Sequence, residues 1–158
     1  MNTVDRVIVA AQGYSELGLH GEALRLLEEI PSDNRRRVDV MEIRLLALMS
    51  EKRWEEGLKL ALSLADQEPE EPGGYIHIAY CLHALGRTRE ALEVLLRSPD
   101  ILRSKAVYYY NMGCYLATLG NTDSALDAVR RSFEMDGALK SVARKDPDLA
   151  GILPLLGL

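Results

Sequence analysis

Apolar residues recur along most of this chain at intervals of three and four, the period of an amphipathic helix. Tyr75, Ile78, Ala79, Leu82 and Leu85 form one such stripe, and Ala91, Leu92, Leu95 and Leu96 form a second. Gly86 lies between them, where a left-handed residue commonly ends a helix, and Thr88 reads as the N-cap of the helix that follows. The same order returns at Met112, Gly113, Leu116 and Leu119, then Gly120, then Thr122 opening a helix with Ala125, Leu126 and Val129. No stretch alternates apolar and polar residues with period two over a useful length. The pattern predicts an all-α chain.

The turns are themselves periodic. YSELGLHGEAL (14–24), HALGRTREAL (83–92) and ATLGNTDSAL (117–126) align on Gly18, Gly86 and Gly120. The last two glycines are 34 residues apart and the first two are twice that, so the missing member falls at Lys52. Leu24, Leu58, Leu92 and Leu126 share one column, and Ala23, Gly57, Ala91 and Ala125 the column before it. Copies held in one register predict four helix–turn–helix units, over residues 4–37, 38–71, 72–105 and 106–139. Ala11, Ala79 and Gly113 make a column of small residues on the first helix of a unit, facing the Ala/Gly column of the second. Small side chains there let two helix axes approach closely. A hairpin that is apolar on both faces cannot bury them alone, so each unit needs its neighbours.

Two segments depart from the repeat. Pro99 falls early, which ends the second helix of the third unit near Arg97 or Ser98 and leaves PDILRSK (99–105) to join the last unit. Beyond 139, Ala138 to Arg144 reads as a short helix, and Asp146 as an N-cap with Pro147 in the first helical position. Residues 140–158 are read as a capping helix for the last apolar face, with Leu149, Ile152, Leu153 and Leu156 turned inward. The alternative is that this apolar tail is a partner-binding segment.

These residues resemble the tetratricopeptide repeat family, of bacterial type, whose 34-residue unit carries W-x2-L-G-x2-Y and then A, F, A and P at set places. In units counted from Val4, Val38, Pro72 and Ala106, the tyrosine slot holds Tyr14, Leu48, Leu82 and Leu116, and the small eighth position Ala11, Leu45, Ala79 and Gly113. The tryptophan slot holds Val7, Met41, Tyr75 and Tyr109, and the terminal proline survives only as Pro69. The second unit departs most, with Arg44 and Leu45 for Leu-Gly and Lys52 for the turn glycine. The resemblance covers residues 4 to 139. It implies an α–α superhelix, a right-handed solenoid of four repeats plus the C-terminal cap, forming one domain over 1–158. It implies a protein-binding scaffold rather than an enzyme.

Charge and composition narrow the partner. A net charge of −5 and an isoelectric point near 5.3 argue against nucleic acid, which needs a clustered basic surface. The one basic run, Arg35-Arg36-Arg37, reads as a solvated turn, with an anion-binding patch as the alternative. No run of about 18 apolar residues exists to span a membrane, and the N-terminus lacks the pattern of a secretory signal, so the location expected is cytoplasmic. Cys81 and Cys114 sit in helical pattern and are expected to be buried, reduced thiols. No metal-ligand spacing, nucleophile elbow or phosphate-cradling loop occurs, so no catalytic residue, cofactor or metal is expected. Glu28-Glu29, Glu55-Glu56 and Glu70-Glu71 read as solvated faces, and His77 and His83, six residues apart, fall on different helix faces.

In the resembled family the fifth, ninth, twelfth and thirteenth positions of each unit line a concave groove. Carried over, the set includes Ile8, Gln12, Ser15 and Glu16; Glu42, Leu46, Met49 and Ser50; Ile76, Tyr80, His83 and Ala84; Tyr110, Cys114, Ala117 and Thr118. Gln12, Glu16, Glu42, Met49, Tyr80, His83, Tyr110 and Cys114 are the groove residues expected to touch a partner, with Ile8, Leu46 and Ile76 open to a core role instead. None is Lys or Arg, so the basic clamp that some members use on a C-terminal carboxylate is missing. The groove suits an amphipathic or extended segment with apolar anchors and a basic residue. The alternative function is a self-associating repeat protein, a homo-oligomer, or an export chaperone that keeps a client soluble.

Overall fold

The computed structural model describes residues 1–158 and contains helices and turns only. In chain order they are α1 (Thr3–Glu16), α2 (His20–Glu28), α3 (Val38–Ser50), α4 (Trp54–Gln67), α5 (Gly73–Ala84), α6 (Thr88–Arg97), α7 (Ala106–Thr118), α8 (Thr122–Met135) and the short α9 (Leu139–Ala143). Four 3₁₀ turns join them, at Ser32–Asn34, Asp100–Ser104, Pro147–Leu149 and Leu153–Leu156. The helix boundaries follow the repeat read from the sequence. The chain forms two compact units, Met1–Gly74 and Tyr75–Leu158.

The hairpin turns are the most regular feature. Gly18 N–H donates to the Ser15 carbonyl (3.0 Å) and Leu19 N–H to Tyr14 (2.9 Å), the paired bonds of a Schellman cap. The same pair recurs at Gly86 and Arg87, and at Gly120 and Asn121. It recurs in the second unit of the repeat as well, through Lys52 N–H to Met49 (3.0 Å) and Arg53 N–H to Leu48 (2.9 Å). Lys52 therefore takes φ +57°, beside +75°, +78° and +80° at the three glycines, and is the chain's one non-glycine residue with positive φ. The turn is so short that the residue after the left-handed one is also the N-cap of the next helix: Leu19, Arg53, Arg87 and Asn121. Thr88 is thus not the cap expected. It is the first residue of α6, and its hydroxyl bonds the Nδ1 of His83 at 2.9 Å instead.

In the first unit α1 packs on α2, α2 on α3 and α3 on α4. Ile8, Ala11, Ala23, Leu27, Ile30 and Val40 make one buried cluster, and Leu24, Ala47 and Leu48 a second. Arg35 and Arg36 of the basic run are exposed, as a solvated turn expects, but Arg35 and Arg37 also brace this framework. Arg35 donates from Nε to the Ile30 carbonyl (2.8 Å) and from Nη2 to that of Glu28 (2.6 Å), satisfying acceptors that α2 leaves at its end. Arg37 sits between Asp5 (3.0 Å) and Asp39 (2.8 Å), tying α1 to the start of α3. Only Arg36 of the three is spent on neither.

In the second unit α7 lies against α8 at the small-residue column. A Cβ built on Gly113 would collide with Cγ2 of Val129 and stand 3.2 Å from Val129 N and 3.3 Å from the Ala125 carbonyl oxygen. Glycine is what this approach requires. Tyr115, Leu95, Val129 and Cys81 are among the fully buried side chains of this unit.

The C-terminal segment corrects the sequence reading in form. Residues 140–158 make no continuous capping helix; α9 is followed by two separate 3₁₀ turns. Asp146 does cap as expected, its Oδ1 accepting from Asp148 N–H at 3.0 Å with Pro147 next to it. Pro154 sits in the first turn of the last 3₁₀ segment, where a missing N–H costs little, and Gly157 closes that turn at φ +74°. Leu149 and Ile152 are buried as anticipated, while Leu153 and Leu156 are only half-buried.

Candidate functional site

The residues read as partner-facing separate into two surfaces, one on each unit. On the first unit, Gln12 and Glu16 of α1 and Asp39, Glu42, Ile43 and Leu46 of α3 border an open cleft of about 420 Å³. Glu16 and Glu42 are exposed and in ion pairs with no Lys or Arg; Gln12 donates to Glu16 at 3.1 Å. Asp39 is already engaged by Arg37, whose guanidinium holds its carboxyl below the usual range. Leu46 is 50% exposed, so it is not core, whereas Ile8 at 7% is. Met49 is half-buried and does not border the cleft. The surface is acidic with an apolar floor.

On the second unit the same repeat positions look quite different, because the C-terminal segment covers them. Tyr110 and Cys114, expected to be accessible, are 6% and 4% exposed. The Tyr110 hydroxyl donates to Oδ2 of Asp146 at 2.8 Å, and the Cys114 thiol points to the same oxygen at 3.6 Å. His83 Nε2 stands 2.8 Å from Oδ2 of Asp148, and its ring lies on that of Tyr115 with centroids 4.7 Å apart. Tyr80 remains 44% exposed and lines a shallow pocket with Val142, Lys145, Asp146 and Pro147.

The electrostatics follow from burial beside two carboxylates. Burial, reinforced by the Asp146 hydrogen bond, pushes the Tyr110 phenol well up, and burial with Asp146 and Asp148 does the same to the Cys114 thiol. Burial alone raises Cys81 to about 11 and lowers His77. Both cysteines are free and buried, as expected. Ligating atoms of Cys114, Asp146 and Asp148 lie within 4.8 Å of one another, which could serve a divalent ion. A metal would need a thiolate there, and each carboxylate is already held by Tyr110, His83 or the Asp148 amide. The set is better described as a docking contact. Asp146, Asp148 and Thr88 had no signal as site residues in the sequence; Asp146 lies 32 residues from Cys114, and Asp148 lies 65 from His83.

Against known proteins, two family models, each described as tetratricopeptide repeat, match residues 106–138 and 75–97. This chain contains tetratricopeptide repeats. Among solved structures, the tetratricopeptide protein TTC0263 of Thermus thermophilus superposes with TM-score 0.77 at 18% identity, covering 97% of this chain and 83% of that one. MamA 41-end from Desulfovibrio magneticus RS-1 gives 0.77 at 15% identity over 90% and 81%, and MamA MSR-1 gives 0.73 at 17% over 87% and 79%. At such identities the likeness is one of fold. No curated protein matches the sequence. Of the positions read as partner-facing, those on α1 and α3 are largely open, whereas Tyr110 and Cys114 on α7 are covered by the chain itself. No helix is long and apolar enough to cross a membrane.

Proposed function

We propose that this protein is a non-catalytic interaction scaffold whose α1–α3 face captures a partner segment carrying a basic residue beside an apolar anchor. The observation that supports this most directly is the open cleft itself. Exposed Glu16 and Glu42 stand over Leu46, an apolar side chain left half in water at a position that the tetratricopeptide unit turns toward ligands. A Lys or Arg of a partner would find two carboxylates with no competing cation, and a leucine-sized anchor would remove Leu46 from solvent. The concentration of perturbed groups near Cys114 supports packing and not chemistry, since no nucleophile–base pair opens onto a cavity there.

A photo-crosslinking residue at Leu46, applied in native extract and read by peptide mass spectrometry, tests the reading. Captured segments should carry Lys or Arg within a few residues of a large apolar side chain. Capture should be lost in Glu16→Lys/Glu42→Lys and weakened by added salt. Segments without basic residues, or capture indifferent to the charge reversal, would overturn it.

A further inference from the structure

The α5–α7 face carries a second reading, independent of the cleft on α1–α3. Three side chains at ligand positions of the repeat each meet a carboxylate of one short turn. Tyr110 and Cys114 meet Asp146 at 2.8 and 3.6 Å, and His83 meets Asp148 at 2.8 Å. His83 is aimed by Thr88, which bonds its other ring nitrogen at 2.9 Å. Leu149, directly after the two aspartates, is fully buried. The turn holds its own shape through Asp146 Oδ1 and the Asp148 amide. Two carboxylates two residues apart on a 3₁₀ turn, followed by an apolar anchor, make a short contiguous set of contacts of the kind a linear motif presents.

We propose that Asp146-Pro147-Asp148-Leu149 is an internal ligand, and that the face built by His83, Tyr110 and Cys114 also takes an Asp-x-Asp-apolar segment from a partner protein, in competition with the chain's own tail. The donors argue for exchange. A carboxylate held by Arg forks forms strong, charge-assisted, bidentate bonds, whereas here a phenol, a thiol and an imidazole do the holding, and no Lys or Arg is ion-paired with either aspartate. The two aspartates themselves stay within reach of solvent. Asp146 and Asp148 are only half-buried and Pro147 is exposed, while Leu149 and Ile152 anchor the tail beneath them. Beyond Ile152 its side-chain hydrogen bond to the rest of the unit runs from Arg130 to the Leu155 carbonyl (2.9 Å). Tyr80 and Lys145 border the same site and would meet residues flanking an incoming motif.

The test uses the full chain and a fluorescent peptide of residues 144–153. Wild type should bind it weakly, and Asp146→Ala/Asp148→Ala, which frees the face, at least ten-fold more tightly. A peptide with both aspartates changed to asparagine should bind the variant at least ten-fold more weakly, and adding Tyr110→Phe should cost several-fold. A variant too unstable to titrate is replaced by wild type in hydrogen exchange: peptide in excess should speed exchange of the amides of residues 148–152. Equal affinity of wild type and variant, an asparagine peptide that binds as well, or tail exchange unmoved by peptide would each overturn the proposal.

Discussion

Gly113→Ala adds one methyl group where α7 meets α8, and its outcome can be worked from the contacts. The new Cβ collides with Val129 Cγ2 and presses on Val129 N at 3.2 Å and the Ala125 carbonyl at 3.3 Å. Val129 is fully buried and β-branched on a helix, so its χ1 has little freedom to turn the methyl away. Overpacking of this kind costs about 1–3 kcal/mol. Alanine offsets about 0.8–1 kcal/mol of that through helix propensity. Because the clash is with a buried, β-branched side chain, the upper part of the overpacking range applies, about 2–3 kcal/mol. The net loss expected is then about 1–2 kcal/mol, or a Tm lower by roughly 2–8 °C for a chain of this size. Because the severest contact is with one side-chain methyl, most of the cost should reverse when that side chain is cut back. Val129→Ala alone leaves a cavity worth about 2 kcal/mol. Adding Gly113→Ala to it should then raise stability, by filling space and regaining propensity. Urea unfolding followed by circular dichroism on all four proteins gives a coupling of about 1 kcal/mol or more in the rescuing direction. Additive effects, or a Gly113→Ala single variant as stable as wild type, would refute the close-approach account.

Three further expectations use the same kind of measurement. Lys52 holds a left-handed conformation that costs an L-residue about 1–2 kcal/mol, so Lys52→Gly should stabilise by about 0.5–1 kcal/mol after the extra chain entropy of glycine; a loss of stability in a denaturant series would count against it. The Tyr115 hydroxyl is buried without a hydrogen-bond partner, and Tyr115→Phe should leave urea stability unchanged or raise it by up to about 1 kcal/mol. A clear loss would mean that the hydroxyl is satisfied in solution. Cys81 ionises near 9 when unfolded and at about 11 when folded. Its contribution to stability is therefore complete below pH 9 and lost as pH rises through 11, and Cys81→Ala should flatten the fall in Tm between pH 8.5 and 11. A slope identical to wild type would refute the assignment. Ellman's reagent should leave both thiols unmodified in the native protein at pH 8.

Much of this fold could be read in one dimension. A helix period, a left-handed turn residue every 34 positions and a column of small residues are local or strictly periodic signals, and α1, α3, α5 and α7 begin within a residue of the unit starts they give. Even Lys52 was placed by register, although its side chain hid the turn it occupies. The residues of the acidic cleft on α1 and α3 were legible only through the family resemblance, which turns Gln12, Glu16, Glu42 and Leu46 toward a groove; helix spacing adds no more than that those on one helix share a face. What the sequence could not decide was which of the positions read as partner-facing stay open. Tyr110, Cys114 and His83 have the spacing of exposed contacts, and only the folding back of the tail buries the first two and bonds all three to Asp146 and Asp148. That segment is aperiodic, broken by Pro147, Pro154 and Gly157, and its partners lie tens of residues away. No rule of spacing connects it to them; chain reversal and side-chain packing do.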